Sequence, residues 1–403
     1  MELQANVDVN VAPAVSAGKK FWPTELLLGL LPLLLGFQLL LWVPYFSAGL
    51  QGVCVFRSFY TCGYMTRTGQ ARDIHDQDKH LKLADELVPL KNKLNQGMDH
   101  PAYEALLFAP LSLLPFRLSL TIFAVMNVIV LGFAARVLTR LLKPLSTRWG
   151  AFVYLLVLAF FPVTYAITGG NDSIILLALL VAALASVRLG NEFRAGMLIG
   201  LGLFKFQIVI PIAVVYFLWK RWSFIRGFGI SALCAMAVSV LMVGVHGMRQ
   251  YTDMLLHMSV NMRTEADAAQ FALSPRTMLN IRGMVAALLQ SHVSHWWLQG
   301  LTLALSFLVV FIAARLRPSM SLAVVTAALV SYHLNAPDAS VLLIPIGAFL
   351  SSKSVWAAMA GLLALLLPTV ALAPLYGFVG GFAVLLLFVA YWKTLEVYTP
   401  EAV

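Results

Sequence analysis

The sequence predicts an all-α polytopic membrane protein, and three observations predict it. Of 403 residues, 60% are hydrophobic and only 11% charged, with a mean hydropathy of +0.84; a soluble domain carries about 25% charged residues. Apolar runs long enough to cross about 30 Å of hydrocarbon recur along the whole chain. The Lys and Arg residues behind the net charge of +10 gather at the ends of those runs. No nucleic-acid motif surrounds them, so the basicity reads as a topology signal with a contribution from anionic membrane lipid, and nucleic acid is excluded as a partner.

Taken in order, residues 1–23 are expected to be a disordered cytoplasmic N-terminus carrying Lys19 and Lys20. The run that follows, Phe21 to Phe46, is too long for a signal-peptide core and reads as an uncleaved first span. About ten spans are expected, at 24–46, 118–141, 149–168, 172–189, 224–245, 297–315, 319–334, 339–352, 355–374 and 377–394. The stretch 195–219 differs. Arg188 and Arg194 precede it, Lys220, Arg221 and Arg226 follow it, and Gly200, Gly202, Lys205 and Pro211 interrupt it. A re-entrant hairpin of two half-helices, entering and leaving on the cytoplasmic side, fits that pattern better than one crossing. Residues 24–395 then form one transmembrane domain with long outside loops at 47–117 and 246–296, and 396–403 form a cytoplasmic tail. Short loops assigned inside carry Lys and Arg while those assigned outside carry none, which places both termini in the cytoplasm of a cell (inner) membrane protein.

The three cysteines, Cys54, Cys62 and Cys234, have no metal-binding spacing. On one helix Cys54 and Cys62 would lie about 12 Å apart, beyond the roughly 7 Å a disulfide spans. In the first loop, Arg67 to Leu94 alternates Leu81, Leu83, Leu87, Val88 and Leu90 with charges, as a helix lying on the membrane or a solvated surface helix would. The next piece, "MDHPAYEALLFAPLSLLPF", sets Asp99, His100 and Glu104 at the edge of an apolar segment. Desolvation there would raise a carboxyl pKa toward the range of a general base; capping by Asp99 is the structural alternative. Asp172 after "GGN" reads either as a helix cap or as an acid at an outside boundary. "SYHLNAPD" carries His333 and Asp338, suited to proton relay or sugar binding, or to a buried hydrogen bond. Lys205 lies deep in an apolar stretch and needs a partner, a lipid phosphate or helix-end carbonyls. Arg282 in "NIRG", with Arg276 and Arg263, could clamp a phosphate or be ordinary surface arginine.

The order of these pieces resembles glycosyltransferase family 87, membrane glycosyltransferases of the GT-C type. The similar strings are "VFRSFYTCGYMTRTGQARDIHD", "HPAYEALLFAPLSLLPF", "GGNDSIILLALLVAALA", "AGMLIGLGLFKFQIVIP" followed by "KRW", "NIRG" and "SYHLNAPDASVLLIPI". The resemblance implies an inverting transferase that moves a sugar, a mannose-type hexose or a pentose, from a polyprenyl-phosphate donor to a lipid or glycan acceptor outside, with no cofactor and no metal. Family members usually open the first loop with Asp-Phe, the Asp acting as general base. Here that place holds Val55, next to Phe56. The base must then come from Asp99, Glu104, Asp172 or Asp338, with His333 beside them. Read by their own chemistry, Lys205, Arg282, Arg276 and Arg57 are expected to bind the donor phosphate, and Tyr60, Tyr64, His100 and Asn171 to contact substrate. The family's His-Asp pattern is also altered, to Pro337-Asp338. Three alternatives remain: a homologue that binds lipid-linked sugar without transferring it, a transporter or flippase, against which stands the lack of repeated halves with broken helices, and a non-catalytic scaffold in an envelope-assembly complex.

Overall fold

The computed structural model describes residues 22–90, 97–141, 153–256, 275–289, 294–350, 354–366 and 376–394. Among these the regular structure is helical and no strand forms. The first half comprises α1 (Trp22–Leu50), α2 (Phe56–Arg67), α3 (Gln77–Leu87), α4 (Ala105–Phe108), α5 (Phe116–Leu141), α6 (Phe161–Thr168), α7 (Ser173–Arg188), α8 (Glu192–Leu201), α9 (Phe206–Leu218) and α10 (Trp222–Leu256). The second half comprises α11 (Ile281–Leu289), α12 (His295–Arg315), α13 (Met320–Val330), α14 (Leu343–Leu350), α15 (Val355–Leu366) and α16 (Tyr376–Thr394).

Among the described residues six stretches are, by length and composition, able to cross a membrane: Gly29–Leu50, Phe116–Leu141, Glu192–Leu218, Trp222–Leu256, His295–Arg315 and Gly377–Thr394. Shorter apolar helices lie between them. The long helices leave Leu39 and Leu40 of α1, Leu241 of α10 and Phe307 of α12 exposed. Faces of that kind suit hydrocarbon and would be a liability in water.

Although Glu192–Leu218 is long enough to cross once, it doubles back, as the basic flanks require. Arg221, just beyond α9, pairs with Glu192 at the start of α8 at 3.4 Å. Helix α10, which starts after that return, runs alongside α8 at very close range. A Cβ on Gly196 would stand 1.9 Å from the Phe224 carbonyl oxygen, one on Gly227 2.0 Å from that of Phe193, and one on Gly200 2.1 Å from Ser231 Oγ. Small residues spaced by four on both helices permit this approach, the usual way helices associate in lipid. The tip of the hairpin is a 3-10 turn, Gly202–Lys205. At the other end of the helices Tyr216 stacks on Phe224 and the Trp219 indole donates to the Ala313 carbonyl at 3.1 Å, close to Arg315 and Arg317. The molecule therefore has a basic end and an opposite end that carries the hairpin tip.

Three elements differ from the sequence expectations. The span at 149–168 is broken, because Phe160 is extended and Pro162 starts a separate helix, α6. Helix α10 continues past residue 245 to Leu256 across a kink at Gly244, where φ is 70°. Its last turns thus occupy what reads as loop in the sequence. Within the segment 67–94 the amphipathic helix begins only at Gln77, since Gly69, at φ 77°, ends the preceding helix, a 3-10 turn follows at Ala71–Asp73, and the Asp76 side chain caps the new helix by accepting the Lys79 amide at 3.2 Å. The N-terminus, the C-terminal tail and, within the 246–296 loop, residues 257–274 (Arg263 among them) and 290–293 lie outside the described residues. Cys54 and Cys62 are both free thiols.

The first loop packs as a small unit over the hairpin end. Phe56, Phe59, Phe108, Phe116 and Phe123 form its apolar centre, with Phe59 stacked on Phe108 at 4.6 Å. Arg57, buried, donates to the Val88 carbonyl at 3.0 Å and pairs with Asp85, which ties α2 to α3.

Candidate active site

A cluster of buried charges forms where four separate chain regions meet at the hairpin end. Asp172 stands at the N-cap position of α7, yet its carboxylate does not cap. Asn171 takes that role, its Oδ1 accepting the Ser173 amide at 2.9 Å. The Asp172 side chain is thereby released into the interior, fully buried, with Oδ1 3.0 Å from Lys205 Nζ and Oδ2 3.3 Å from His100 Nδ1. Asp338, in the 3-10 turn Pro337–Leu342, places Oδ1 3.1 Å from the same ammonium and 2.7 Å from Ser173 Oγ. Ser173 Oγ is also within reach of Asn171 Oδ1, so its single proton serves one acceptor at a time.

His100 and Glu104 come from the first loop, His100 two residues ahead of the 3-10 turn Ala102–Glu104 and Glu104 at its end. His100 Nδ1 is 2.5 Å from Glu104 Oε2, and its Nε2 faces Asp99 Oδ1 at 3.6 Å. Asp99 is the accessible member, its side chain 28% exposed against 3% for Glu104. Burial pushes the Glu104 carboxyl up to about 8, with His100 opposing the rise and Asp172 adding to it. For His100 burial disfavours the charge, but the carboxylates of Glu104 and Asp172 outweigh it and hold the imidazole well above its usual value. The cations His100 and Lys205 are set against the carboxyl groups Glu104, Asp172 and Asp338, opposite charges lying in contact. Such pairing is what lets buried charges persist, because an unpaired one costs several kcal/mol on the order of 3–5.

His100, Glu104 and Asp172 bring donor atoms within 4.8 Å of one another, a spacing that a metal ion could use. The positive charge beside Asp172 is already supplied by Lys205, so no step is assigned to a metal.

Of the other residues singled out in the sequence, His333 is buried near the cluster, with Nδ1 lacking a hydrogen bond. Arg282 lies over the Tyr332 ring at 4.1 Å and donates to the Tyr332 carbonyl at 3.3 Å. That segment is strapped to the cluster's edge: Asn280 Nδ2 donates to the Ser331 carbonyl at 2.8 Å and the Leu279 amide to the Leu334 carbonyl at 2.8 Å. Arg276 is exposed one turn earlier, in Pro275–Thr277. Tyr60 donates to the Leu114 carbonyl at 2.9 Å and packs edge-on against Phe116, while Arg67 lies over the Tyr64 ring. Arg57, Tyr60 and Tyr64 therefore serve contacts within the first loop. Val55 immediately precedes α2, whose first amide donates to the Gly169 carbonyl at 3.3 Å. Gly170 makes that contact possible: its φ is 61° and a Cβ there would sit 2.6 Å from Phe56 Cβ. The loop mouth thus abuts the strand of residues that ends in Asp172.

Sequence reasoning missed Tyr103, Ser173 and Asn280, which hold the cluster together. The polar flanks of Asp172 were the available signal, since Asn171 and Ser173 can cap without it.

The glycosyltransferase family 87 model matches residues 100–345, more than half of the chain, from His100 to beyond Asp338. The chain belongs to glycosyltransferase family 87. No curated protein and no solved structure matches it. The matched region of this family 87 member contains His100, Glu104, Asp172, Lys205 and Asp338, whereas Val55 and Asp99 precede it.

Proposed function

We propose that this family 87 member transfers a sugar, a mannose-type hexose or a pentose, from a polyprenyl-phosphate donor to a hydroxyl of a lipid or glycan acceptor. The reaction runs with inversion at the extracytoplasmic face of the cell (inner) membrane. The observation that carries this reading is the buried cluster at the hairpin end, opposite the basic end, inside the family-matched region. The acceptor oxygen forms a bond to the anomeric carbon as the bond from that carbon to the donor phosphate oxygen breaks, and the departing polyprenyl phosphate keeps the electron pair. The acceptor proton passes toward Glu104 through His100, with the accessible Asp99 marking the side of entry. Glu104 suits this task because its proton affinity lies near neutral pH, where a general base works best. Lys205 holds Asp172 and Asp338 as a fixed electrostatic frame, and Arg282 with Arg276 receives the negative charge that grows on the leaving phosphate.

Transfer of labelled sugar from a panel of polyprenyl-phosphate donors, in membranes containing the chain, tests this reading. The natural chain is expected to transfer, and Glu104→Gln and Arg282→Ala each to lose about 10²-fold or more. Use of nucleotide-sugar donors only, or no transfer at all, overturns the reading. Transfer by Val55→Asp alone would identify a fold that has kept donor binding and lost its base.

A further inference from the structure

The tip of the hairpin breaks the helical ladder between Leu201 and Phe206, and the backbone groups freed there need partners. Each one left alone costs several kcal/mol, about 2–7 in apolar surroundings. The half-buried Tyr103 supplies two partners at once. Its phenol donates to the Leu201 carbonyl at 2.9 Å and accepts the Phe204 amide at 2.7 Å. A hydroxyl is the one side-chain group able to do both through a single atom without carrying charge. Tyr103 itself sits between His100 and Glu104 in sequence, and its own amide donates to Ser239 Oγ of α10 at 3.1 Å. Phe204 is the residue next to Lys205. One side chain therefore joins the turn that carries the His100–Glu104 pair to the break that carries Lys205.

We infer that Tyr103 is a positioning residue, whose phenol fixes Lys205 between Asp172 and Asp338 at the height that keeps the His100–Glu104 pair in register with them. This assignment rests on the transferase reading above for its kinetic consequence, though not for its effect on proton binding. Without the hydroxyl, the Leu201–Lys205 backbone must find other partners, and a shift of the ammonium by a fraction of an ångström alters the field on both carboxylates. The pair is faced by Asp99 from its own loop, Cys62 from α2, Asp172 from the start of α7, Lys205 from the tip, His333 from beyond α13 and Tyr251 from α10, with Asp338 acting through Lys205. Among these only Lys205 stands on the element that Tyr103 holds.

The test compares Tyr103→Phe, which deletes only the hydroxyl, with Ser239→Ala, which loosens the same turn from its other side. Two quantities are measured on the full-length chain: transfer kinetics, and the pH midpoint of the thermal-unfolding temperature. Tyr103→Phe is expected to lower kcat by about tenfold to a hundredfold with the donor KM within about twofold, and to displace the pH midpoint of both the rate and the unfolding temperature. Ser239→Ala is expected to lower the unfolding temperature and leave both midpoints in place. A Tyr103→Phe chain with native kcat and native midpoints overturns the inference, as does one that loses activity and unfolding temperature together with its midpoints unmoved. If the natural chain transfers no sugar, the transferase reading fails by itself, and the unfolding midpoint, which needs no substrate, still decides the role of Tyr103.

Discussion

Asp172 shows how a residue's neighbours decide its role. In a "GGNDS" run any of the polar side chains can cap the following helix, and capping is the commonplace use of an Asp there. Because Asn171 accepts the Ser173 amide, Asp172 is free to meet Lys205 and His100. The need of Lys205 for a partner was legible from its depth in an apolar stretch, but the identity of that partner was not, since Asp172 and Asp338 reach it only through tertiary folding. At this scale the raised Glu104 carboxyl makes a prediction. Its folded form holds a proton up to about pH 8, while the unfolded chain releases it near the usual carboxylate value of 4.5. Between those limits the folded chain binds more protons, so this contribution to stability is complete below about 4.5 and lost as pH rises through about 8. His100, also raised, acts in the same direction above the usual imidazole value of 6.5. The unfolding temperature in detergent should therefore fall as pH rises from about 5 to about 8, and Glu104→Gln should flatten that fall. An unchanged slope would show that Glu104 is ionised throughout.

The helical hairpin was legible as an element because charge at its two flanks and glycine within it are properties of the local sequence. What the sequence left open was its fit against α10, which depends on Gly196 and Gly200 facing Gly227 and Ser231. Gly196→Ala and Gly229→Ala make a matched test, since both replace a helical glycine with a better helix former. The added methyl at 196 collides with the Phe224 carbonyl, whereas nothing lies within 4 Å of the one at 229. The first should destabilise by about 1–3 kcal/mol and the second should be neutral or stabilise by up to about 1 kcal/mol, read as unfolding temperatures of opposite sign. Equal shifts would mean that the two helices do not approach as described. The first loop was less legible. Its amphipathic pattern begins at Arg67, but a left-handed Gly69 and the Asp76 cap delay the start of α3 to Gln77, and local turn chemistry outweighs periodicity there.

For the molecule as a whole, hydropathy and basic flanks were enough to order most of the spans, because the requirement to satisfy backbone groups in hydrocarbon leaves helices as the available answer. The broken span at Phe160 and the extension of α10 escaped that reading, as both turn on a single residue's backbone conformation. Convergence of the first loop, the start of α7, the hairpin tip and the turn after α13 on one buried cluster is a property of the assembled bundle alone. The proposed function places sugar transfer at this cluster. Initial rates of labelled-sugar transfer by the natural chain and by Asp172→Asn, in membranes with matched amounts of folded protein, test it most directly. Transfer by the natural chain and a loss of about 10²-fold or more in the variant are expected; transfer by Asp172→Asn at the natural rate would remove the cluster from the reaction.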